Sequence, residues 1–164
     1  MIAGRRAVAA VVGAVVAVTV GVVVLAGVAT ADASRQHAVD RARAGALAAA
    51  SAAVPTVLSY DYRHLDADFA KAESLLTPRF RAEYAATTAK QVKPLARKNK
   101  ATSTADIQAA AVVEAEPDRA VVLVFVNQLA TNVNLTQPRL DRARINVTVV
   151  RSGGRWLIDR MAPF

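Results

Sequence analysis

The densest group of side chains that could do chemistry lies in one short stretch of the chain. Its members are Tyr60, Asp61, Tyr62, Arg63, His64, Asp66 and Asp68. A general base has to lie within hydrogen-bond reach of the proton that it removes, and His64 beside Asp61 or Asp66 has the residue types for such a transfer. Neighbouring residues at a helix end cannot all face one pocket. Tyrosine packing and local ion pairing explain the same stretch, so we predict no catalytic residues and a protein that is not an enzyme.

Other common kinds of site leave no signature in the sequence. His37 and His64 are the only histidines and cysteine is absent, so a metal site would need carboxylates assembled from distant parts of the chain. No glycine lies between Gly45 and Gly153, which excludes a glycine-rich phosphate loop there. We predict no cofactor and no metal. Our candidates for a pocket or an interface are Tyr60, Asp61, Tyr62, His64, Phe125 and Trp156.

A long uncharged segment runs from Ala7 to Ala31. As a helix it would span roughly 37 Å, against a hydrocarbon core of about 30 Å. Arg5 and Arg6 precede it and Asp32 follows it, and positive charge stays on the cytoplasmic side. We therefore predict an uncleaved single-pass anchor with a cytoplasmic N-terminus. A cleaved signal peptide is the alternative, although the apolar region of a signal peptide is usually shorter.

The predicted anchor divides the chain into a cytoplasmic tail over residues 1–6, a transmembrane helix over 7–31 and an extracytoplasmic domain over 32–164. The last part has the size of one domain. The chain carries a net charge of +8 at pH 7, which suits anionic headgroups or an acidic partner but also an ordinary solvated surface. No aromatic residue interrupts the basic run at 90–100, so we do not expect nucleic-acid binding.

The first part of the domain, residues 32–100, has helical periodicity. Apolar residues recur at helical spacing after the anchor and predict one long helix, which Pro55 should bend because proline removes a helical hydrogen bond. Two short helices follow, with Asp66 and Thr77 as their predicted N-caps. Residues 91–100 are predicted to be irregular.

The second part, residues 101–164, changes to the two-residue period that is typical of strands. Alternation at 107–113 predicts the first strand, and the continuous apolar run at 120–126 predicts a strand that is central or covered on both faces. Residues 145–149 alternate again, and a Ser-Gly-Gly-Arg hairpin turn at 152–155 leads to the last strand. Helices before strands predict an α+β domain with about three helices on a four-stranded antiparallel sheet.

Short segments spread over nearly the whole chain form an ordered set. They are LSYDY at 58–62, LDAD at 65–68, Leu76-Thr77, Phe80, Tyr84, VFVNQ at 124–128 and GRWLI at 154–158. Together with the anchor and the Ala-rich helix, this set resembles the Mce-associated membrane proteins of actinobacteria. The resemblance implies an NTF2-like, cystatin-like cone in which a curved sheet wraps the first helix. It also implies an accessory role beside Mce lipid importers in the cell envelope.

From the anchor and the resemblance we predict a non-enzymatic accessory subunit that assembles with or stabilises an Mce-type lipid or sterol import complex. One alternative is a lipid carrier that uses an apolar pocket in the cone. Another is a scaffold subunit of a different envelope machine, because type IV secretion systems also combine an N-in anchor with an NTF2-like domain. The predicted partners are Mce complex proteins and membrane lipid. Self-association stays open.

Overall fold

The computed structural model describes residues 34–164 of the chain. Our predicted anchor, with Arg5, Arg6, Ala7 and Ala31, lies outside these residues. In the part that the structure does describe, none of the helices combines the length and the apolar character needed to cross a bilayer.

The helices come before the long strands of the sheet. Helix α1 ends at residue 58, and a π-helical turn at Thr88–Val92 joins α3 to α4. The bounds are residues 34–58 for α1, Leu65–Glu73 for α2, Pro78–Thr87 for α3 and Lys93–Asn99 for α4. The prediction of an irregular segment at residues 91–100 is wrong. Pro94 lies in the first turn of α4, where its missing N–H costs no helical hydrogen bond.

One of the two predicted helix caps is confirmed. The Oγ1 of Thr77 accepts the backbone N–H of Phe80 at 3.3 Å, and Pro78 is the first residue of α3. The prediction of Asp66 as a cap is wrong, because His64 occupies the N-cap position of α2. Asp66 lies instead in the first turn of α2, where a carboxylate interacts favourably with the positive end of the helix dipole.

The strands form one antiparallel sheet in chain order, with β3 at its centre. Their bounds are Tyr60–Asp61 for β1, Thr102–Ala115 for β2, Arg119–Thr131 for β3, Arg139–Ser152 for β4 and Arg155–Pro163 for β5. The sheet therefore has five strands and not the predicted four, because Tyr60 and Asp61 pair with Ser103 and Thr102 at the edge of β2.

The predicted hairpin between β4 and β5 is confirmed. Gly153 and Gly154 form its turn with φ angles of +56° and +77°. Positive φ at both central positions matches a two-residue hairpin turn, whose twist suits the flanking strands. Glycine adopts this backbone without the steric cost that a side chain would add.

Helix α1 packs on one face of the sheet, which we call the inner face. Ala46, Ala50 and Val54 of α1 are completely buried and share one core with Val122 and Val124 of β3. The small side chains on this side of α1 let the helix lie close to the strands. The predicted α+β arrangement is confirmed, with helix α1 and the sheet as its two packed layers.

A close contact on the inner face joins α1 to β5. A Cβ atom at Gly45 would lie 2.7 Å from the indole Nε1 of Trp156, closer than a carbon and a ring atom can approach. Glycine is thus required for the ring to lie against the helix. Pro55 lies in the last turn of α1, and the helix continues through it to residue 58.

Candidate functional site

Asp61, one of the candidates for proton transfer, is held in a turn by Arg63. The Nε of Arg63 lies 3.0 and 3.1 Å from the two carboxylate oxygens of Asp61, and the backbone N–H of Arg63 donates to the same carboxylate at 2.9 Å. Hydrogen bonding from the Arg63 side chain, the largest cause, lowers the pKa of Asp61 to about 2. A carboxylate with so low a pKa is a weak base near neutral pH.

Hydrogen bonds from backbone N–H groups fasten this turn to the start of α2. The Oδ2 of Asp68 accepts the N–H of Asp61 at 2.9 Å, and the carbonyl of Asp61 accepts the N–H of His64 at 2.9 Å. The imidazole of His64 is exposed and forms no hydrogen bond within residues 34–164. The polar groups therefore connect β1 to α2 and do not line up around a common point.

An aromatic cluster lies beneath the turn. The rings of Tyr60 and Phe69 have centroids 5.8 Å apart, and those of Phe69 and Tyr84 are 5.9 Å apart in an edge-to-face arrangement. The hydroxyl of Tyr84 donates to the carbonyl of Val57 at 2.9 Å, and burial raises the pKa of this tyrosine above its ordinary value. The cluster joins β1, α2, α3 and the end of α1.

Two cations of the basic run are already paired. The Nζ of Lys93 lies 2.7 Å from one carboxylate oxygen of Asp66, and Arg97 lies 3.0 Å from the other. Hydrogen bonding from Lys93 is the largest cause that lowers the pKa of Asp66. These pairs connect α4 to α2, so part of the basic run has a structural partner.

A polar cavity of about 370 Å³ lies beside β1. The Oγ of Ser103 donates to the carbonyl of Leu58 at 3.1 Å, and the Oγ of Ser59 accepts the N–H of Ala105 at 2.9 Å. Two of its hydroxyls are thus used to attach the end of α1 to β2. The cavity is lined by Pro55, Thr56, Ser59, Tyr60, Asp61, Asp68, Lys71, Thr102, Ser103 and Thr104.

A second cavity, also of about 370 Å³, is almost entirely apolar, and we call it the apolar groove. It lies between the end of α1, helix α3, and strands β4 and β5. Arg144 is the one charged residue of its lining, which consists of Val57, Leu58, Phe80, Tyr84, Ala143, Arg144, Ile145, Met161, Ala162 and Pro163.

The outer face of the sheet carries large exposed side chains. Because side chains alternate along a strand, Phe125 and Leu129 point away from the buried face of β3. Across the β3–β4 ladder, Phe125 pairs with Arg144 and Leu129 pairs with Leu140. We call Phe125, Leu129, Leu140, Arg142 and Arg144 the outer-face patch. A cavity of about 560 Å³ lies within it, beside Phe125 and the two arginines.

The structure separates the six predicted pocket or interface residues. Tyr60 and Asp61 line the polar cavity, and Tyr62 and His64 follow in the adjoining turn. Phe125 lies in the outer-face patch and Trp156 lies against α1. The sequence reasoning missed the other members of the patch. The two-residue period of β3 indicates that Leu129 lies on the same face as Phe125. Which residues of β4 lie beside them depends on the register between the two strands.

The chain belongs to the family described as Rv1363c/MT1408-like uncharacterized proteins, whose model matches residues 6–162. It is similar to the uncharacterized protein Rv1362c of Mycobacterium tuberculosis (strain ATCC 25618 / H37Rv), with 40% identity over 118 residues, 72% of this chain and 54% of the relative. The chain thus spans about half the length of that relative. It is also similar to the outer membrane protein Rv1973 of the same strain, with 37% identity over 74% of this chain and 76% of the relative.

Three solved structures share the fold. An IcmL-like type IV secretion system protein from Legionella pneumophila matches 74% of this chain and 93% of its own, with a TM-score of 0.58 and 14% identity. A periplasmic fragment of TraM has a TM-score of 0.56 and 17% identity, and the match covers 71% of this chain and 93% of the fragment. The periplasmic domain of DotI has a TM-score of 0.55 and 12% identity, and the match covers 71% of this chain and 90% of that domain. At these identities the likeness concerns the fold alone.

Proposed function

We propose that the chain is a non-enzymatic scaffold subunit of a multi-protein machine in the cell envelope. The observation that carries this proposal is the fold match, which covers at least 90% of each of three domains from type IV secretion or periplasmic structures. The name of the relative Rv1973, an outer membrane protein, supports a location in the envelope. The predicted single-pass anchor would hold the domain outside the cytoplasmic membrane.

The contacts of the polar turn support a scaffold over an enzyme. Asp61 is engaged by Arg63 and has a pKa of about 2, whereas a general base works best with a pKa near the operating pH. His64 is exposed and its ring forms no hydrogen bond in the described chain. Asp61 therefore takes part in the turn between β1 and α2, where Arg63 and Asp68 hold it.

The identity of the machine is the finer part of the proposal. The sequence resemblance favours an Mce-type lipid import complex and an NTF2-like cone, while the fold matches favour a secretion-type assembly. Both versions place an anchored, extracytoplasmic domain among other envelope proteins. We take the secretion-like scaffold as the main version, because it has the support of the shared fold.

Purification of the full chain from native membranes tests the proposal. A tagged copy is extracted in mild detergent, its assembly size is measured on a native gel, and the proteins that co-purify are identified by mass spectrometry. We expect an assembly much larger than the 17.3 kDa chain, with either Mce or secretion-type proteins in it. An unrelated single-pass protein with the same tag is the control. A monomer without partners, or a protein found in the cytosol, would contradict the proposal.

The apolar groove favours a second candidate function, that of a lipid carrier. Its volume of about 370 Å³ lies within the range of small-molecule sites, which are mostly apolar with few polar groups. Native mass spectrometry of the purified chain should then show bound lipid, which is lost when Ala162→Trp fills the groove. Failure to co-purify or take up lipid would reject the carrier.

A further inference from the structure

The outer-face patch has the composition of a protein interface. Phe125, Leu129 and Leu140 are 40%, 44% and 48% exposed, although residues of these types are usually buried. They lie on strands β3 and β4 of the sheet, beside two arginines. Aromatic residues and arginine are the types enriched where proteins meet.

The two arginines of the patch have no acidic partner in the part of the chain that the structure describes. Within residues 34–164 neither Arg142 nor Arg144 forms an ion pair, whereas Arg139 pairs with Asp141 at 2.8 Å. Asp106 lies in the same cross-strand row as Arg142, but two strands away, or about 10 Å. Its carboxylate accepts a hydrogen bond from Gln108 at 2.6 Å. The patch is therefore apolar with an unbalanced positive charge.

We infer that the outer-face patch docks an acidic segment of a partner protein in the envelope assembly. An apolar side chain of that segment enters the cavity beside Phe125, and its carboxylates bind Arg142 and Arg144. The planar fork of a guanidinium suits bidentate binding of a carboxylate. This inference rests on the proposed function, because it requires that the domain has protein partners.

Charge and shape select this occupant over two others. A symmetric pair of chains uses the same patch on both copies, which would bring four unpaired arginines together in a protein of net charge +8. A bilayer surface is flat on this scale, whereas the patch contains a cavity of about 560 Å³. A protruding side chain flanked by carboxylates matches both the cavity and the charge.

A site-specific photocrosslinker tests the inference in the full chain within native membranes. p-Benzoylphenylalanine replaces Phe125 in one variant and Leu95, which is 58% exposed on α4, in a second. Adducts are identified by mass spectrometry and the crosslinked segment is mapped. The adduct at position 125 is then measured with R142E/R144E and with K98E/R151E, which makes the same change of net charge at exposed positions elsewhere. Circular dichroism confirms that each variant is folded.

We expect an adduct at position 125 to one protein, mapped to a segment with Asp or Glu beside an apolar residue. R142E/R144E should reduce it by about tenfold or more, since like charges facing each other across an interface repel. R142K/R144K keeps the charge but loses the bidentate geometry and should reduce it less, while K98E/R151E retains most of it. An adduct to lipid, to a second copy of the chain or to a basic segment would overturn the inference. Loss that is equal in K98E/R151E would also overturn it.

The experiments distinguish a failure of the inference from a failure of the proposed function. If the native assembly forms but position 125 gives no protein adduct, the inference is wrong and the scaffold function stands. If neither an assembly nor any adduct at position 125 or 95 is found, both are wrong.

Discussion

The two faces of strand β3 have similar residue types and opposite environments. On the inner face Val122 and Val124 are completely buried, while on the outer face Phe125 and Leu129 are 40% and 44% exposed. The difference comes from α1, which covers only the inner face. Apolar composition therefore does not decide which side of a central strand is covered. The uncovered side leaves apolar surface exposed, where another molecule can bind.

The partners of the two faces differ as well. The inner face meets small side chains of α1, such as Ala46 and Ala50, which allow close packing without polar groups. The outer face meets solvent and carries arginines on the neighbouring strand. One face of the same strand stabilises the fold, and we propose that the other binds a partner. The following predictions test this division, from the largest expected effect to the smallest.

Truncation of one valine on the inner face should cost far more than truncation of its larger neighbour. Val124→Ala removes completely buried methyl groups and should lower the free energy of unfolding by about 2–3 kcal/mol. Phe125→Ala should cost below about 1 kcal/mol, because much of the ring is exposed. Urea unfolding of the purified chain, followed by circular dichroism, measures both. Equal losses would show that the outer face is also part of the core.

A methyl group at Gly45 should destabilise the protein although it improves the helix. Alanine in place of glycine gains about 1 kcal/mol in a helix interior, but here the new Cβ would lie 2.7 Å from the ring of Trp156. We expect Gly45→Ala to lower the free energy of unfolding by about 1 kcal/mol net. In a Trp156→Ala background the same change should be stabilising. A gain in stability with Trp156 present would contradict the close packing of α1 on the inner face.

The polar turn, outside both faces, should respond to pH as a structural ion pair. The folded pKa of Asp61, about 2, is below its ordinary value of 3.8. The pair therefore contributes stability above about pH 4, which is lost as the pH falls towards 2. Carbon-13 NMR of the Asp61 carboxyl should give the low pKa, and Arg63→Gln should raise it towards 3.8, with Arg79→Gln as the control. An ordinary Asp61 pKa in the unsubstituted protein would leave the carboxylate available as a base.

Local patterns predict most of the elements of this fold. The cap at Thr77, the Gly153–Gly154 hairpin and the presence of strand β4 each depend on neighbouring residues, and the structure confirms them. Strand β1 depends instead on pairing with Ser103 and Thr102, about forty residues away. Its two residues carry too little pattern of their own to predict a strand.

The candidate site shows the same division between local and distant information. Phe125 is predicted as a pocket or interface residue from its sequence alone, but Leu140 and Arg144 join it only through the register of β3 and β4. Helix α4 is similar, because its buried Ala96 packs with Leu65 and Phe69 of α2. A single sequence does not give such register and packing.

Thiol labelling in spheroplasts tests the central claim most directly. The chain contains no cysteine, so Leu129→Cys in the outer-face patch and Leu95→Cys on α4 each give one thiol. A maleimide that does not cross the cytoplasmic membrane should label Cys introduced at 95 rapidly, which would place the domain outside. It should label position 129 slowly in spheroplasts and rapidly in the purified protein, because a partner covers the patch. Equal labelling of both positions in spheroplasts, or no labelling at 95, would contradict an exported scaffold that docks through the outer face of its sheet.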